Sequence, residues 1–151
     1  MPKSRNLPDD GNEIDFLVEL NIPSQLDIVR LVVDLGTALM ELRGYDSADC
    51  SAIRLAIHET LVNAVTYGRV ENPEARVSVK FYFKGTCFHT DIFDEGPGYS
   101  LNDIPDPTLP ENLLKDGGRG IFLAQQLTEN YTVEKLPERG FRVSFCRRKK
   151  T

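Results

Sequence analysis

Apolar and polar positions follow two periods along this chain, and each change of period marks an element. Residues 13–20, EIDFLVEL, predict a first strand. Ile28, Val32, Leu35, Leu39 and Leu42 then recur at helical spacing. Ser24 is the expected N-cap of that helix, with Asp27 three residues on as a short capping-box acid. Gly44 is expected to end it, as C-terminal glycines do. Asp46 or Ser47 caps a second helix, predicted to run to about Tyr67 and to stop at Gly68. Residues 75–84, ARVSVKFYFK, alternate strictly. Val77, Val79, Phe81 and Phe83 take one face, and Ser78, Lys80, Tyr82 and Lys84 the other. Gly85-Thr86 reads as a hairpin turn and residues 87–93 as the return strand.

After Asp94 the pattern breaks. Residues 95–117 hold Pro97, Pro105, Pro107 and Pro110 and show no period. Loops of more than about 12–15 residues inside a compact domain are uncommon and usually functional. A short helix is predicted over roughly 119–128. Two last strands follow, about 130–136 and 140–147, joined in a hairpin from Pro137 to Gly140. Strand runs beside helix pairs predict an α+β fold, with helices on one face of a mainly antiparallel sheet.

Composition narrows the class without naming a function. The 151 residues fit one domain and carry a net charge of −5, which argues against a general nucleic-acid binder. No apolar run approaches the length of about 18 residues that a membrane helix needs. Residues 1–12, with Pro2, Pro8 and Gly11, are expected to form a flexible leader without a signal-peptide core, and residues 13–151 the single domain. Cys50, Cys87 and Cys146 are odd in number and far apart, which predicts reduced thiols in a cytoplasmic protein.

Three segments could carry chemistry. On the second helix Glu59 and Asn63 are four residues apart and share a face with the small residues Ala52 and Ala56. A carboxylate and an amide one turn apart leave room for a polar ligand or metal, although a solvated surface pair reads the same way. Asp94-Glu95-Gly96-Pro97-Gly98 follows a strand, where Asp94 can accept hydrogen bonds at the strand exit; an ordinary turn would use the same residues. Gly117-Gly118-Arg119-Gly120 runs into an apolar helix, a backbone that presents free N–H groups to phosphate, or a simple hinge.

Taken in order, these segments resemble the GHKL ATPases, the fold shared by DNA gyrase, mismatch-repair ATPases and sensor histidine kinases. The stretches AIHETLVNAVTYG, DEGPGYS and GGRGIFLAQQLTE are similar to the motifs of one free-standing branch, the anti-sigma factor serine kinases of bacterial partner-switching systems. The resemblance covers about residues 14–147. It implies a two-layer sandwich with a mainly antiparallel, mixed sheet, ATP and Mg²⁺ as cofactors, and an ATP lid in the proline-rich loop. It also implies roles. Asn63 would coordinate Mg²⁺, and Glu59 would be the general base. Asp94 would accept the adenine amino hydrogen, with Gly96 and Gly98 letting the backbone pass the base. Gly118 and Gly120 would donate to the phosphates. Arg119 is placed beside them, and Lys115 would supply positive charge. Tyr67-Gly68 replaces the His-Gly that is frequent in the family, and Asp116 would repel phosphate.

The implied activity is phosphorylation of a serine on an antagonist (anti-anti-sigma) protein, with a sigma factor as the second partner. The alternative is a non-catalytic nucleotide-binding module that sequesters a sigma factor or another regulatory partner. Relatives of this type are usually dimers, so a homodimer is among the expected partners; membrane and direct nucleic-acid partners are not. His58 lies about 100° around the helix from Glu59 and is expected not to pair with it. His89 and the basic run Arg147 to Lys150 carry no assigned chemistry.

Overall fold

A computed structural model describes residues 13–96, 119–137 and 139–150. The elements are β1 (Ile14–Pro23), α1 (Leu26–Leu42), α2 (Ser47–Glu71), β2 (Arg76–Lys84), β3 (Cys87–Asp94), α3 (Arg119–Leu127), β4 (Glu129–Lys135) and β5 (Phe141–Arg148). The strands form one sheet in the order β1-β2-β3-β5-β4. Every pairing among the described residues is antiparallel. The expected leader, residues 1–12, lies outside the described residues, as does the expected lid.

The inward positions of β2 are those of the alternation. Val77, Val79 and Phe81 are fully buried and join Phe88 and Ile92 of β3 and Phe145 of β5 in one core with the helices. Phe81 stacks on Phe88 with ring centroids 5.6 Å apart. Truncating a buried aromatic of this kind costs about 3–5 kcal/mol, so this row fixes the sheet to the helical layer.

The α1 stripe differs from the expected one. Its buried positions are Val29, Val32, Val33, Gly36, Thr37, Leu39 and Met40. Ile28 and Leu35 are half-buried, and Leu42 is 74% exposed. Apolar residues occupy so much of this helix that spacing alone does not reveal which face turns inward. Gly36 decides it: a Cβ there would stand 2.8 Å from Ile57 Cδ1 and 3.1 Å from Phe81 Cζ, so α1 crosses α2 and the sheet at this glycine. Ser24 is not the N-cap either. Gln25 holds that position, without a side-chain cap, and Ser24 is buried beside the end of α2. Gly44 does end the helix, at φ +78, with its N–H donating to the Glu41 carbonyl at 3.0 Å.

The α2 N-terminus is capped as expected, Asp49 N–H donating to Asp46 Oδ1 at 2.8 Å. Its C-terminus is not where the glycine predicted. The helix runs through Gly68 to Glu71, and Asn72 is its C-cap. Gly68 lies buried inside the helix, where a Cβ would make only ordinary contacts, 3.6 Å from Ser24 Oγ and 4.0 Å from Ala75 Cβ.

Candidate functional site

The site follows the length of α2. Glu59 lies one turn before Asn63, and Gly68 lies further along the same helix. From Glu59 to Gly68 the axis advances nine residues, about 14 Å at about 1.5 Å each. Each end of this line meets a different glycine-bearing segment.

At the Gly68 end stands Asp94, the last residue of β3. It is buried, and its Oδ1 accepts the Gly96 N–H at 2.7 Å. Burial pushes the Asp94 carboxyl above the ordinary aspartate value, and the Gly96 hydrogen bond offsets part of that rise. Gly96 is pressed onto the helix: a Cβ there would lie 3.1 Å from Gly68 N and 3.1 Å from Tyr67 C. Gly140, from the last hairpin, closes the other side at φ +89. A Cβ on it would fall 1.9 Å from the Asp94 carbonyl oxygen. The two glycines hold the strand exit between α2 and the hairpin, and Asp94 with it. Gly140 and Gly68 were readable in the sequence only as turn and stop signals. Their packing roles require two segments far apart in sequence to touch.

At the other end, the Glu59 side chain lies against the first turn of α3. A Cβ on Gly120 would fall 1.9 Å from Glu59 Oε2 and 2.5 Å from its Cδ. Only a glycine admits the carboxylate so close to the backbone, and a carboxylate is stabilised at a helix N-terminus. The other carboxylate oxygen, Oε1, is 3.6 Å from His58 Nδ1. This corrects the expectation that His58 stays clear of Glu59. The 100° between the two Cβ directions is bridged by side-chain length. Thr60, next along α2, is buried and shares a 2.7 Å hydrogen bond with the Tyr131 hydroxyl of β4, which ties this turn to the sheet edge.

The comparisons with known proteins give the family and the fold. The family described as "Histidine kinase-like ATPase domain" matches residues 22–146. The chain belongs to that family. It is similar to the serine-protein kinase RsbW of Bacillus subtilis (strain 168), 22% identical over 129 residues, 82% of this chain and 80% of the relative. It is also similar to the serine-protein kinase RsbW of Staphylococcus aureus, 26% identical over 131 residues, 82% of this chain and 81% of the relative. Among solved structures it resembles the RsbU and RsbW domains of Rv1364c from Mycobacterium tuberculosis, with a TM-score of 0.64 at 16% identity. That match takes in 89% of this chain but 33% of the solved chain, so the likeness is one of fold.

Within the histidine kinase-like fold, the described residues therefore bring together Glu59 with Gly120, and Asp94 with Gly96 and the end of α2. Arg119 opens α3 and is exposed. Gly98, Lys115 and Gly118 lie outside the described residues, as does Asp116. Asn63 is half-buried on α2. The amide oxygen of Asn63 fits a hard cation such as Mg²⁺, which takes oxygen ligands and usually keeps water and phosphate among them. Among the described residues no three His, Cys, Asp or Glu side chains cluster as a metal cage. A site of this kind suits a cation that arrives with phosphate. The three cysteines are free and buried, and burial pushes the Cys146 thiol up to about 11. Among the described residues no helix is long and apolar enough to cross a membrane.

Proposed function

We propose that the protein is an ATP-dependent protein-serine kinase acting in a partner-switching system, phosphorylating a serine of an antagonist protein and binding a sigma factor. The observation that carries this reading is the Glu59 carboxylate lying against Gly120 at the N-terminus of α3. It puts a potential base beside a backbone suited to phosphate. Asp94 stands at the far end of the same helix. The separation of about 14 Å along the axis is comparable with an extended nucleoside triphosphate. Membership of a kinase-like ATPase family and the serine-protein kinase names of the relatives support the same reading.

Under this reading Asp94 accepts the adenine amino hydrogen, and Gly96 and Gly98 let the base lie close to the backbone. Gly118 and Gly120 donate N–H groups to the phosphates, with Lys115 and Arg119 adding positive charge. Asn63 would hold Mg²⁺ with the phosphate oxygens, and the ion supplies charge neutralisation. Phosphoryl transfer relies mainly on positioning and electrostatic stabilisation. Glu59 takes the proton of the attacking serine hydroxyl, help that is typically worth about 10²–10⁴-fold in rate.

Incubation with γ-labelled ATP·Mg²⁺ and candidate antagonist proteins tests the reading. Glu59→Gln is expected to bind ATP nearly as the parent does and to transfer phosphate about 10²–10⁴-fold more slowly. Asn63→Ala is expected to lose both. If the parent transfers nothing while it binds partner normally, the protein is a nucleotide-dependent binding module instead.

A further inference from the structure

The Glu59 carboxylate has two neighbours of opposite character. Oε2 faces Gly120 on the phosphate side, while Oε1 faces His58 Nδ1 at 3.6 Å on the other. His58 is not a buried structural histidine, since its side chain is 53% exposed. It opens instead on a cavity of about 590 Å³ between α1 and α2, lined by Arg30, Val33, Arg54, Leu55, His58 and Glu59. Glu59 therefore connects the Gly120 backbone to an open groove, and His58 stands at the junction.

We propose that His58 is a positioning residue for the base: it orients the Glu59 carboxylate and takes from it the proton that Glu59 removes from the acceptor. The inference rests on the reading of Glu59 as general base. In the reaction the acceptor oxygen bonds to the γ-phosphorus. The bond from that phosphorus to the β,γ-bridging oxygen breaks, and its electron pair leaves on ADP. The acceptor proton goes to Glu59, then to Nδ1 of a neutral imidazole that carries its own proton on Nε2. The imidazolium releases it to water through the groove. Contacts of catalytic groups are often long in the absence of substrate and tighten in the reacting complex, so 3.6 Å is within reach of a small side-chain rotation.

The charged groups around His58 come from both helices. On α1 they are Arg30 and Asp34, and on α2 Arg54 and Glu59. Asp34 holds Arg54 at 2.9 Å and Arg30 at 3.8 Å, so both arginines are engaged beside the histidine rather than with Glu59. His58 pairs with Glu59 at 3.6 Å.

The test uses the full chain with ATP·Mg²⁺ and water as the acceptor, read as release of inorganic phosphate. His58→Ala is expected to lower kcat about tenfold with the KM for ATP unchanged. Added imidazole, which the groove has room to admit, restores the rate, whereas His58→Gln remains slow. Circular dichroism checks that both variants are folded. A His58→Ala protein with the parent's kcat overturns the relay, and so does a slow variant that imidazole leaves slow. If the parent releases phosphate no faster than Glu59→Gln, the base itself is wrong and the relay falls with it. An active parent with an indifferent His58 leaves the kinase reading standing and removes only the relay.

Discussion

Of the three buried aspartates among the described residues, Asp49 and Asp94 lie near opposite ends of α2 and are treated in opposite ways. Asp49, in the first turn of α2, is fully buried, and both its oxygens are engaged. Arg147 Nε donates to Oδ1 at 2.9 Å, and the Lys150 N–H donates to Oδ2 at 3.3 Å. Arg147 also donates to the Leu127 carbonyl at 2.6 Å, so this one pair joins α2, α3 and the end of β5. Asp94 is 8% exposed and accepts one described hydrogen bond, from Gly96. No cation stands against it among the described partners, and burial drives its carboxyl upward. Burying a charge without full compensation is costly, and of the two Asp94 is the less compensated.

The largest expected effect breaks the structural member of the pair. Asp49→Ala leaves Arg147 without its partner, and loss of one side of a buried ion pair costs about 3–5 kcal/mol. Calorimetry should show a large fall in Tm, while the ATP affinity of the protein that remains folded stays at the parent value. A small change in Tm would mean that Asp49 is as dispensable to the fold as Asp94.

The next effect is the reverse. Asp94→Asn should weaken ATP binding by about 1–3 kcal/mol, the cost of leaving a buried polar group mispaired, and should erase a preference for ATP over GTP in calorimetric titration. In the parent the same argument predicts that ATP binds more tightly, because guanine presents a carbonyl where adenine presents an amino group. The fold should not suffer. A carboxyl raised in the folded state contributes stability below its unfolded value, about 3.9, and loses it as pH rises through the raised value. Once pH has risen through the raised value, Asp94 is a net cost, which asparagine removes. A drop in Tm for Asp94→Asn comparable with that of Asp49→Ala would end the contrast.

A third aspartate sets the lower limit. Asp15 accepts from Arg43 at 2.8 Å, and that hydrogen bond holds its carboxyl below the usual range. Any stability it lends is present above the unfolded aspartate value and lost as pH falls through its lowered one. The pair is exposed and screened by solvent. Asp15→Ala is expected to leave Tm unchanged in thermal melts at pH 7. A clear shift would show that pairing, rather than burial, separates these carboxylates.

Much of the molecule was readable from period and punctuation. The element order, the inward face of β2, the Asp46 cap and the Gly44 stop follow from local rules, because a strand's alternation and a helix cap depend on residues a few positions apart. So does the sharing of one α2 face by Glu59 and Asn63, which the helical repeat enforces. The angle of α1 depended on Gly36 meeting Ile57 and Phe81. The extension of α2 through Gly68 depended on its neighbours Ser24, Ala75 and Gly96. The approach of His58 to Glu59 depended on side-chain reach, which a helical wheel does not contain. The glycine motif singled out Asp94, but nothing local marked Asp49 as buried and paired. Both are acids beside element ends, and what separates them is an arginine that arrives from 98 positions away. Local geometry is set by neighbours in the chain. Whether a buried charge is satisfied is set by partners in space, and only the folded chain brings those partners together.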